Sequence, residues 1–186
     1  MSSMLVGYFS YDVIRYIEKI PNRCQDDLKI PDVRLMRPNN LVIYDNLKKT
    51  IFYIENVFQD TSIKNYQDKY ESIKYNFKNF QNYENIRLPE QFTHKKNKHK
   101  IKSNISKKKY KSIVNTAKKF IAQGDIFQVV LSQRFERKFN KQPLEIYNYL
   151  RKANPSPFMF YFNYEDFKIL GSSPEILVRL RNKKVT

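Results

Sequence analysis

The stretch GDIFQVVLSQR, residues 124–134, organises the interpretation of this chain. It follows a segment with apolar residues at helical spacing and begins with Gly124, which predicts the end of that helix because glycine adopts the left-handed conformation at little cost. The apolar residues that follow predict one long strand over residues 126–139. On this strand Gln128 shares a face with apolar neighbours, so its amide is predicted either to be satisfied in the core or to line a pocket.

Local signals on both sides of this stretch predict a mixed, largely antiparallel sheet with packed helices, an α+β fold. Ser106 is a suitable N-cap for the helix that Gly124 ends, since its hydroxyl can accept a hydrogen bond from a free helix N–H. Ser10 or Asp12 is predicted to do the same for a helix that Pro21 stops. The remaining predicted elements are a hairpin of residues 34–44 and 50–58 around a polar turn at 45–49, a helix over 61–80, a short helix from Pro143, paired strands at 158–162 and 167–170, and a strand at 176–180 followed by a turn at 181–184.

Composition limits the class of protein. The chain has 186 residues, a net charge of +17 and a single cysteine, Cys24, so it contains no internal disulfide and suits a reducing compartment. The sequence shows neither the charged and apolar regions of a signal peptide nor a long apolar run, and we expect a cytoplasmic protein. With only three glycines, a glycine-rich phosphate cradle within this chain is excluded.

The positive charge is concentrated in one segment. Residues 93–112 carry nine lysines and no acidic residue. Two interpretations stay open for this segment: a solvated surface that reflects drift toward AT-rich codons, or an anion-binding surface such as that of a basic RNA-binding or membrane-surface module. Because the other lysines are scattered along the chain, we expect neither nucleic acid nor a membrane as a partner.

Four motifs, taken together, resemble component I of anthranilate synthase, a member of the chorismate-utilising enzyme family. Their order and spacing also fit, and two of them favour this branch over the aminodeoxychorismate, isochorismate and salicylate synthases. One departure is Ser10, where the family usually has glycine. The motifs are GYFSYD at 7–12 with Arg15 and Tyr16, GDIFQVVLSQR at 124–134, NPSPFMFY at 154–161 and GSSPEILV at 171–178.

This resemblance implies a magnesium-dependent lyase that uses chorismate. Ammonia from a glutamine amidotransferase subunit, component II, would add to the ring as a hydroxyl leaves, and elimination of pyruvate would give anthranilate for tryptophan synthesis. The resemblance also assigns Gln128 and Glu175 to the active site. Water-using relatives typically carry lysine at the position of Gln128, and a neutral amide there suits an amine nucleophile. From the residues alone, Glu175 is either a general acid or base or simply an edge residue.

The same resemblance implies feedback inhibition by L-tryptophan. The resemblance places Pro157, Phe158 and Met159 in the inhibitor pocket. An aromatic ring and a thioether beside a proline would make a physically sensible wall for an indole. The alternative is that Phe158 and Met159 are core residues only.

The resemblance further implies an internal fragment that lacks the family's N-terminus and its catalytic C-terminal half. Residues 1–92 would end the N-terminal region, 93–105 would form a basic connector, and 106–186 would begin the chorismate-binding domain. The magnesium ligands would lie beyond Thr186, so we expect no metal site in this chain and no activity from the chain alone. The alternatives are aminodeoxychorismate synthase component I of folate synthesis and the basic RNA-binding module.

Overall fold

The computed structural model describes residues 4–56, 66–81 and 100–186. The chain divides into two compact units, Met1–Gln91 and Phe92–Thr186. Helices and short antiparallel sheets occur together, which confirms the α+β class. Two predictions fall partly outside the described residues: the start of the helix over 61–80 and most of the connector over 93–105.

The first unit opens with strand β1, Val6–Phe9, which pairs antiparallel with β2, Val33–Met36. Between them lies a 3-10 helix, Tyr11–Tyr16, so the predicted helix reaching Pro21 is wrong. The difference has a physical reason, since the hydrogen bonds of a 3-10 helix are poorer than those of an α-helix and such helices stay short.

The predicted N-cap of this helix is also wrong. The Ser10 hydroxyl makes no capping bond and donates instead to Asp32 Oδ1 at 2.7 Å. Asp12 lies inside the helix, where its Oδ1 accepts from Arg15 Nε at 2.7 Å. Both side chains therefore bond to other side chains, and neither accepts from a free helix N–H as predicted.

Strands β3, Asn40–Asp45, and β4, Thr50–Glu55, form the predicted hairpin in full antiparallel register. The Asp45 carboxylate closes the turn, because its Oδ1 accepts from the backbone N–H of Leu47 at 2.9 Å and of Lys48 at 3.0 Å. An aspartate that bonds its own turn in this way is a common local signal, and the hairpin prediction is confirmed around this turn. Residues 34–36 of its predicted first strand belong instead to β2 and pair with β1, and residues 57–58 lie outside the described residues.

Helix α1, Tyr66–Gln81, packs on this hairpin through one aromatic residue of β4. The Tyr53 ring lies 5.9 Å from Phe77 and 6.3 Å from Phe80, measured between ring centroids. Phe77 and Phe80, three residues apart on α1, therefore pack within the first unit, as the core face of an amphipathic helix does.

In the second unit a short strand β5, Lys102–Ser103, precedes helix α2, Lys107–Gln123. Both predicted ends of α2 are confirmed. Ser106 Oγ accepts from the N–H of Lys109 at 3.2 Å, and Gly124 takes the left-handed conformation with φ of 82°. No acidic residue occupies the first turn of this helix, which instead begins with three lysines.

The long strand predicted over residues 126–139 is wrong. Only β6, Phe135–Glu136, is a strand, and it pairs with β5. The segment before it has the alternating composition of a strand, but a strand also needs a neighbour for its backbone hydrogen bonds. None of the other strands in the described ranges pairs with that segment.

Helix α3, Pro143–Ala153, starts at proline as predicted, since proline suits the first turn of a helix. Strands β7, Phe158–Asn163, and β8, Lys168–Ser173, then form the second predicted hairpin. The strand predicted at 176–180 is wrong, because only β9, Leu180–Arg181, forms and pairs with β10, Lys184–Val185. The predicted turn between them is confirmed, with positive φ at both central residues.

Buried residues are few. Among the residues that the structure describes, only Ala117 of α2 and Tyr164, at the tip of the β7–β8 hairpin, are buried hydrophobic residues. In the same parts of the chain no helix is long and apolar enough to cross a membrane.

Candidate functional site

The NPSPFM segment, residues 154–159, connects the end of α3 to the start of β7. Its first residue, Asn154, is held in place by two hydrogen bonds. The Asn154 N–H donates to the carbonyl of Leu150 at 2.8 Å, and its own carbonyl accepts from Ser172 Oγ of β8 at 2.7 Å. The segment is therefore held at its start by both the helix and the hairpin.

The three predicted inhibitor contacts lie together at the open end of the β7–β8 hairpin but do not share one face. Phe158 pairs with Ser173 and Met159 pairs with Ser172. Because successive side chains of a strand point to opposite faces, Phe158 and Met159 lie on opposite sides of the hairpin. Phe158 is 43% exposed, whereas Met159 is half-buried.

The face that carries Met159 also carries the contact with helix α3. Tyr161, two residues further along β7, lies edge-on to Tyr147 with ring centroids 5.8 Å apart. Ser172, opposite Met159, is the residue whose hydroxyl reaches the end of the same helix. Met159 thus lies on the hairpin face that contacts α3, at Tyr147 in the helix and at Asn154 just after it.

The other face of the hairpin carries a continuous series of aromatic rings. Phe160 lies 5.6 Å from Phe162, Phe162 lies 6.0 Å from Tyr164, and Tyr164 lies 4.9 Å from Phe167. The Phe160 ring also covers Gly171 on the neighbouring strand, where an added Cβ would lie 2.4 Å from its Cζ. Only glycine leaves room for the ring, so the packing of Phe160 explains why the GSSPEILV motif begins with glycine.

Glu175 lies at the same end of the hairpin as Pro157 and Phe158. It follows the last residue of β8, Ser173, by two positions, and its carbonyl accepts from Ser173 Oγ at 3.3 Å. Its side chain is exposed. The structure therefore brings Glu175 and the predicted inhibitor contacts to one end of one hairpin.

Gln128 lies elsewhere in the second unit, in the irregular segment that follows Gly124. Its side chain is exposed, so the interpretation of Gln128 as a core residue is wrong. Within the described ranges no hydrogen bond or ring contact joins Gln128 to the β7–β8 hairpin. The structure does not bring Gln128 together with Glu175.

Ser156 is a feature of this site that the sequence analysis did not single out. Its Oγ is buried and has no hydrogen-bond partner among the described residues. Leaving a buried hydroxyl unsatisfied costs about 1–3 kcal/mol, so such an atom is available to a bound partner. The signal in the sequence is its position between Pro155 and Pro157, because neither proline has a backbone N–H to donate.

A magnesium site does not fit the residues present. In the described parts of the chain no group of three or more His, Cys, Asp or Glu side chains is placed to hold a metal ion. Glu175 is therefore not part of such a group among the described residues.

Comparisons with known proteins agree on one family. The family described as chorismate binding enzyme matches residues 2–186. The chain is 40% identical over 183 residues to anthranilate synthase component 1 of Acetivibrio thermocellus, covering 95% of this chain and 37% of that protein. It is 38% identical over 189 residues to anthranilate synthase component 1 of Aquifex aeolicus, covering 97% of this chain and 37% of that protein.

A solved structure has the same fold over the whole chain. The crystal structure of anthranilate synthase component I from Streptococcus pneumoniae matches with a TM-score of 0.81 and 28% sequence identity. The match covers 99% of this chain and 41% of that one. The chain thus spans less than half the length of the relatives that it resembles.

Proposed function

Because this chain belongs to the chorismate binding enzyme family, which matches it over residues 2–186, we propose that it forms part of component I of an anthranilate synthase. The observation that carries this proposal is the 40% identity to the Acetivibrio thermocellus component 1 over 95% of the chain. The relatives named above are anthranilate synthases, which favours this activity over that of an aminodeoxychorismate synthase.

The proposed reaction takes place in the cytoplasm and converts chorismate to anthranilate and pyruvate. Ammonia comes from the glutaminase subunit, component II, and magnesium serves the reaction as a cofactor. The described residues do not fit a magnesium site, so the proposal assigns the metal to none of them. Since the chain spans 37% of its relatives' length, we propose that it is inactive alone.

A chimaera tests the proposed function directly. In it, this chain replaces the 183-residue span that it matches in the Acetivibrio thermocellus component 1. With chorismate, ammonium and Mg²⁺, we expect the chimaera to form anthranilate, measured by its fluorescence, while this chain alone forms none. The intact relative and the relative without that span are the positive and negative controls. A folded chimaera that binds chorismate but releases aminodeoxychorismate would contradict the proposal.

Two residues are proposed to act on the substrate. Gln128 presents a neutral amide to the incoming ammonia, and Glu175 exchanges a proton near the ring. In the chimaera we expect Glu175→Gln to lower kcat by about 10²-fold or more, the usual contribution of a positioned acid or base, and Gln128→Ala to lower kcat as well. Glu165→Gln, in the exposed turn of the β7–β8 hairpin, is the matched control. Unchanged kcat in either test variant removes that residue from the site.

The end of the β7–β8 hairpin is proposed to bind tryptophan as an inhibitor. Phe158 and Met159 lie on opposite faces of β7, so a ligand that contacts both must lie across the start of the strand, where Pro157 enters it. The buried Ser156 hydroxyl offers a hydrogen bond at the same place.

Met159→Arg tests this site in the chimaera. A guanidinium in place of the half-buried thioether puts a charge against an apolar indole, and we expect tryptophan inhibition to weaken at least about tenfold. Met36→Arg, on β2 of the first unit, is the matched control. Unchanged inhibition by tryptophan in the Met159 variant would refute the assignment.

A further inference from the structure

The outer side of helix α2 carries lysines and no acidic residue. Five of these lysines lie on one face, which is called the lysine face below. All five side chains are exposed, and among the described residues none of them forms an ion pair. The other side of the helix is the inner one, since Ala117 is buried there and Ile113 and Val114 are half-buried. The lysine face consists of Lys107, Lys108, Lys111, Lys118 and Lys119.

The spacing of these lysines makes the face long and continuous. With about 3.6 residues per turn, Lys107, Lys111 and Lys118 lie in nearly one direction from the helix axis. Lys108 and Lys119 are about three turns apart and form a second row beside the first. At a rise of about 1.5 Å per residue, the two rows extend over about 18 Å of the helix. The face is therefore an elongated positive surface rather than a single charged point.

The other helices show that this surface differs from the ordinary composition of the chain. Helix α1 also carries lysines, but acidic partners accompany them: Lys74 lies 3.1 Å from Glu71, and Lys69 pairs with Glu55 of β4. Helix α3 has an acidic residue in its first turn and basic residues in its last turn, as the helix dipole favours. A drift of the whole chain toward lysine would act on all three helices alike, so it does not explain why α2 has no acidic residue.

The lysines of the face repel one another. Lys107 and Lys111 are four residues apart and Lys108 and Lys111 are three apart, spacings at which like charges destabilise a helix. A ligand with many linked negative groups can neutralise several of these lysines at once, and it releases the small ions condensed on itself when it binds. A single small anion would meet only one or two of them. A linear polyanion therefore fits the face better than a single anion.

The side chains of the lysine face also limit the class of polyanion. The face has no arginine, whose planar group binds phosphates and base edges through paired hydrogen bonds. It has no aromatic side chain on which the bases of a single-stranded nucleic acid could stack, because the exposed Phe120 lies on another side of the helix. A membrane-surface helix turns its apolar side to the lipid, but the apolar side of α2 is the inner one. The face thus offers point charges alone.

We propose that the lysine face binds inorganic polyphosphate, a linear chain of linked phosphate groups that carries neither bases nor lipid tails. The ammonium groups of both rows contact phosphates along the chain, and binding removes the repulsion between the lysines. This inference goes beyond the proposed function and does not depend on it, because its test measures binding and not anthranilate formation.

Binding of long-chain polyphosphate to this chain tests the proposal. We expect the logarithm of the affinity to fall linearly with the logarithm of the salt concentration, since each contact with a lysine releases a counterion. Joint substitution of Lys108→Gln and Lys119→Gln should weaken binding about tenfold at about 0.1 M salt and reduce the salt slope by roughly 1. Glutamine is a good helix former, so these changes remove charge without disrupting α2.

The matched control removes the same charge from another helix. Lys74→Gln together with Lys78→Gln changes two exposed lysines of α1 and should alter the affinity for polyphosphate less than about twofold, because salt screens charges that the ligand does not contact. Equal weakening by the two double variants would overturn the proposal, since it would mean that net charge alone drives binding.

Competing polyanions separate polyphosphate from other partners. We expect polyuridylate and polyglutamate to bind at least about tenfold more weakly than polyphosphate, and vesicles of phosphatidylserine not to displace it, because closely spaced charges release the most counterions. Tighter binding of polyuridylate would overturn the proposal in favour of RNA, and displacement by vesicles would do so in favour of a membrane surface. Equal binding of all the polyanions would also overturn it and leave an ordinary solvated surface.

Hydrogen–deuterium exchange supplies a second readout that needs no substitution. Saturating polyphosphate should slow the exchange of amides in α2 at least about threefold, because the bound anion stabilises the helix against local opening. The amides of α1 are the internal reference and should not change. Unchanged exchange in α2 with polyphosphate bound, or equal slowing in α1, would overturn the assignment to the lysine face.

Discussion

The β3–β4 and β7–β8 hairpins are built alike and stabilised differently. Each has two antiparallel strands of six residues and a helix with side-chain contacts to one face. The first hairpin leaves large side chains of its other face, such as Ile43 and Phe52, exposed. The second covers that face with its own aromatic series, which runs from Phe160 through Tyr164 to Phe167. A hairpin gains a core when both faces are covered, and the one with both faces covered carries the candidate inhibitor site.

The largest expected effect is at the tip of the second hairpin. Tyr164 is 3% exposed, and Tyr164→Ala would leave a cavity among its aromatic neighbours, with an expected loss of about 3–5 kcal/mol in the free energy of unfolding. Phe127→Ala, in the same unit, is the matched control and should change stability by less than about 0.5 kcal/mol. Urea unfolding measures both, and equal losses would mean that Tyr164 does not hold the core.

The first hairpin contacts its helix through a carboxylate as well as through the Tyr53 ring. Glu55 has a side chain only 9% exposed, is paired with Lys69 and accepts from Asn76 Nδ2 at 3.3 Å. Glu55→Gln removes a charge-assisted contact between β4 and α1, and we expect a loss of about 1.5–3 kcal/mol in the free energy of unfolding. A neutral result in urea unfolding would show that Tyr53 alone holds the helix.

An exposed ion pair on the same helix is the control for Glu55. Lys74 Nζ lies 3.1 Å from Glu71, and the hydrogen bond with Glu71 raises the pKa of Lys74. Any stability that this pair adds is present at neutral pH and is lost as the pH rises through the raised pKa. Because both side chains face solvent, Glu71→Gln should leave neutral-pH stability unchanged and lower the Lys74 pKa, which NMR titration measures.

Gly171 offers a way to perturb only the covered face of the second hairpin. Gly171→Ala forces the Phe160 ring away from its position, and overpacking of this kind costs about 1–3 kcal/mol. In a Phe160→Ala background the same substitution should cost almost nothing, because the ring that it meets is gone. A double-mutant cycle by urea unfolding measures the difference, and additive losses would contradict the proposed contact.

The smallest expected effect is on the link between the second hairpin and its helix. Ser172→Ala removes the 2.7 Å hydrogen bond to the Asn154 carbonyl, and we expect a loss of about 0.5–1.5 kcal/mol. Ser173→Ala, which removes a longer bond of 3.3 Å within the same strand end, is the control. If the two variants unfold alike, the contact with α3 rests on Tyr147 and Tyr161.

Much of the fold was predictable wherever the signal is local. Both hairpins, the two ends of α2 and the start of α3 depend on residues within four positions of one another, such as Asp45 in its turn or Gly124 after its helix. The predictions were wrong where the local structure depends on a partner that is distant in the sequence. Ser10 bonds Asp32, 22 residues away, and the segment after Gly124 lacks the neighbouring strand that its composition predicts.

For the candidate site, too, some features could be predicted from the sequence and others could not. The resemblance predicts a site at Pro157, Phe158, Met159 and Glu175. The hairpin register places Phe158 and Met159 at one end of β7 and β8, next to which Pro157 and Glu175 follow in the sequence. It did not reveal that Phe158 and Met159 face opposite sides, which follows only from the pleat of a formed strand. The unpaired hydroxyl of Ser156 could not be predicted from a sequence pattern, because the burial of a single atom depends on how the folded chain packs.

The first turn of helix α2 carries positive side chains next to the positive end of the helix dipole. The amino end of a helix carries a partial positive charge, yet Lys107, Lys108 and Lys109 stand there without an acidic residue. Ser106 alone offsets this with its hydrogen bond. Added salt shortens the range of this repulsion from about 30 Å at 0.01 M to about 10 Å at 0.1 M. The beginning of α2 should therefore become more ordered as ionic strength rises, so the protein is more helical in a buffer of high salt concentration than in dilute buffer.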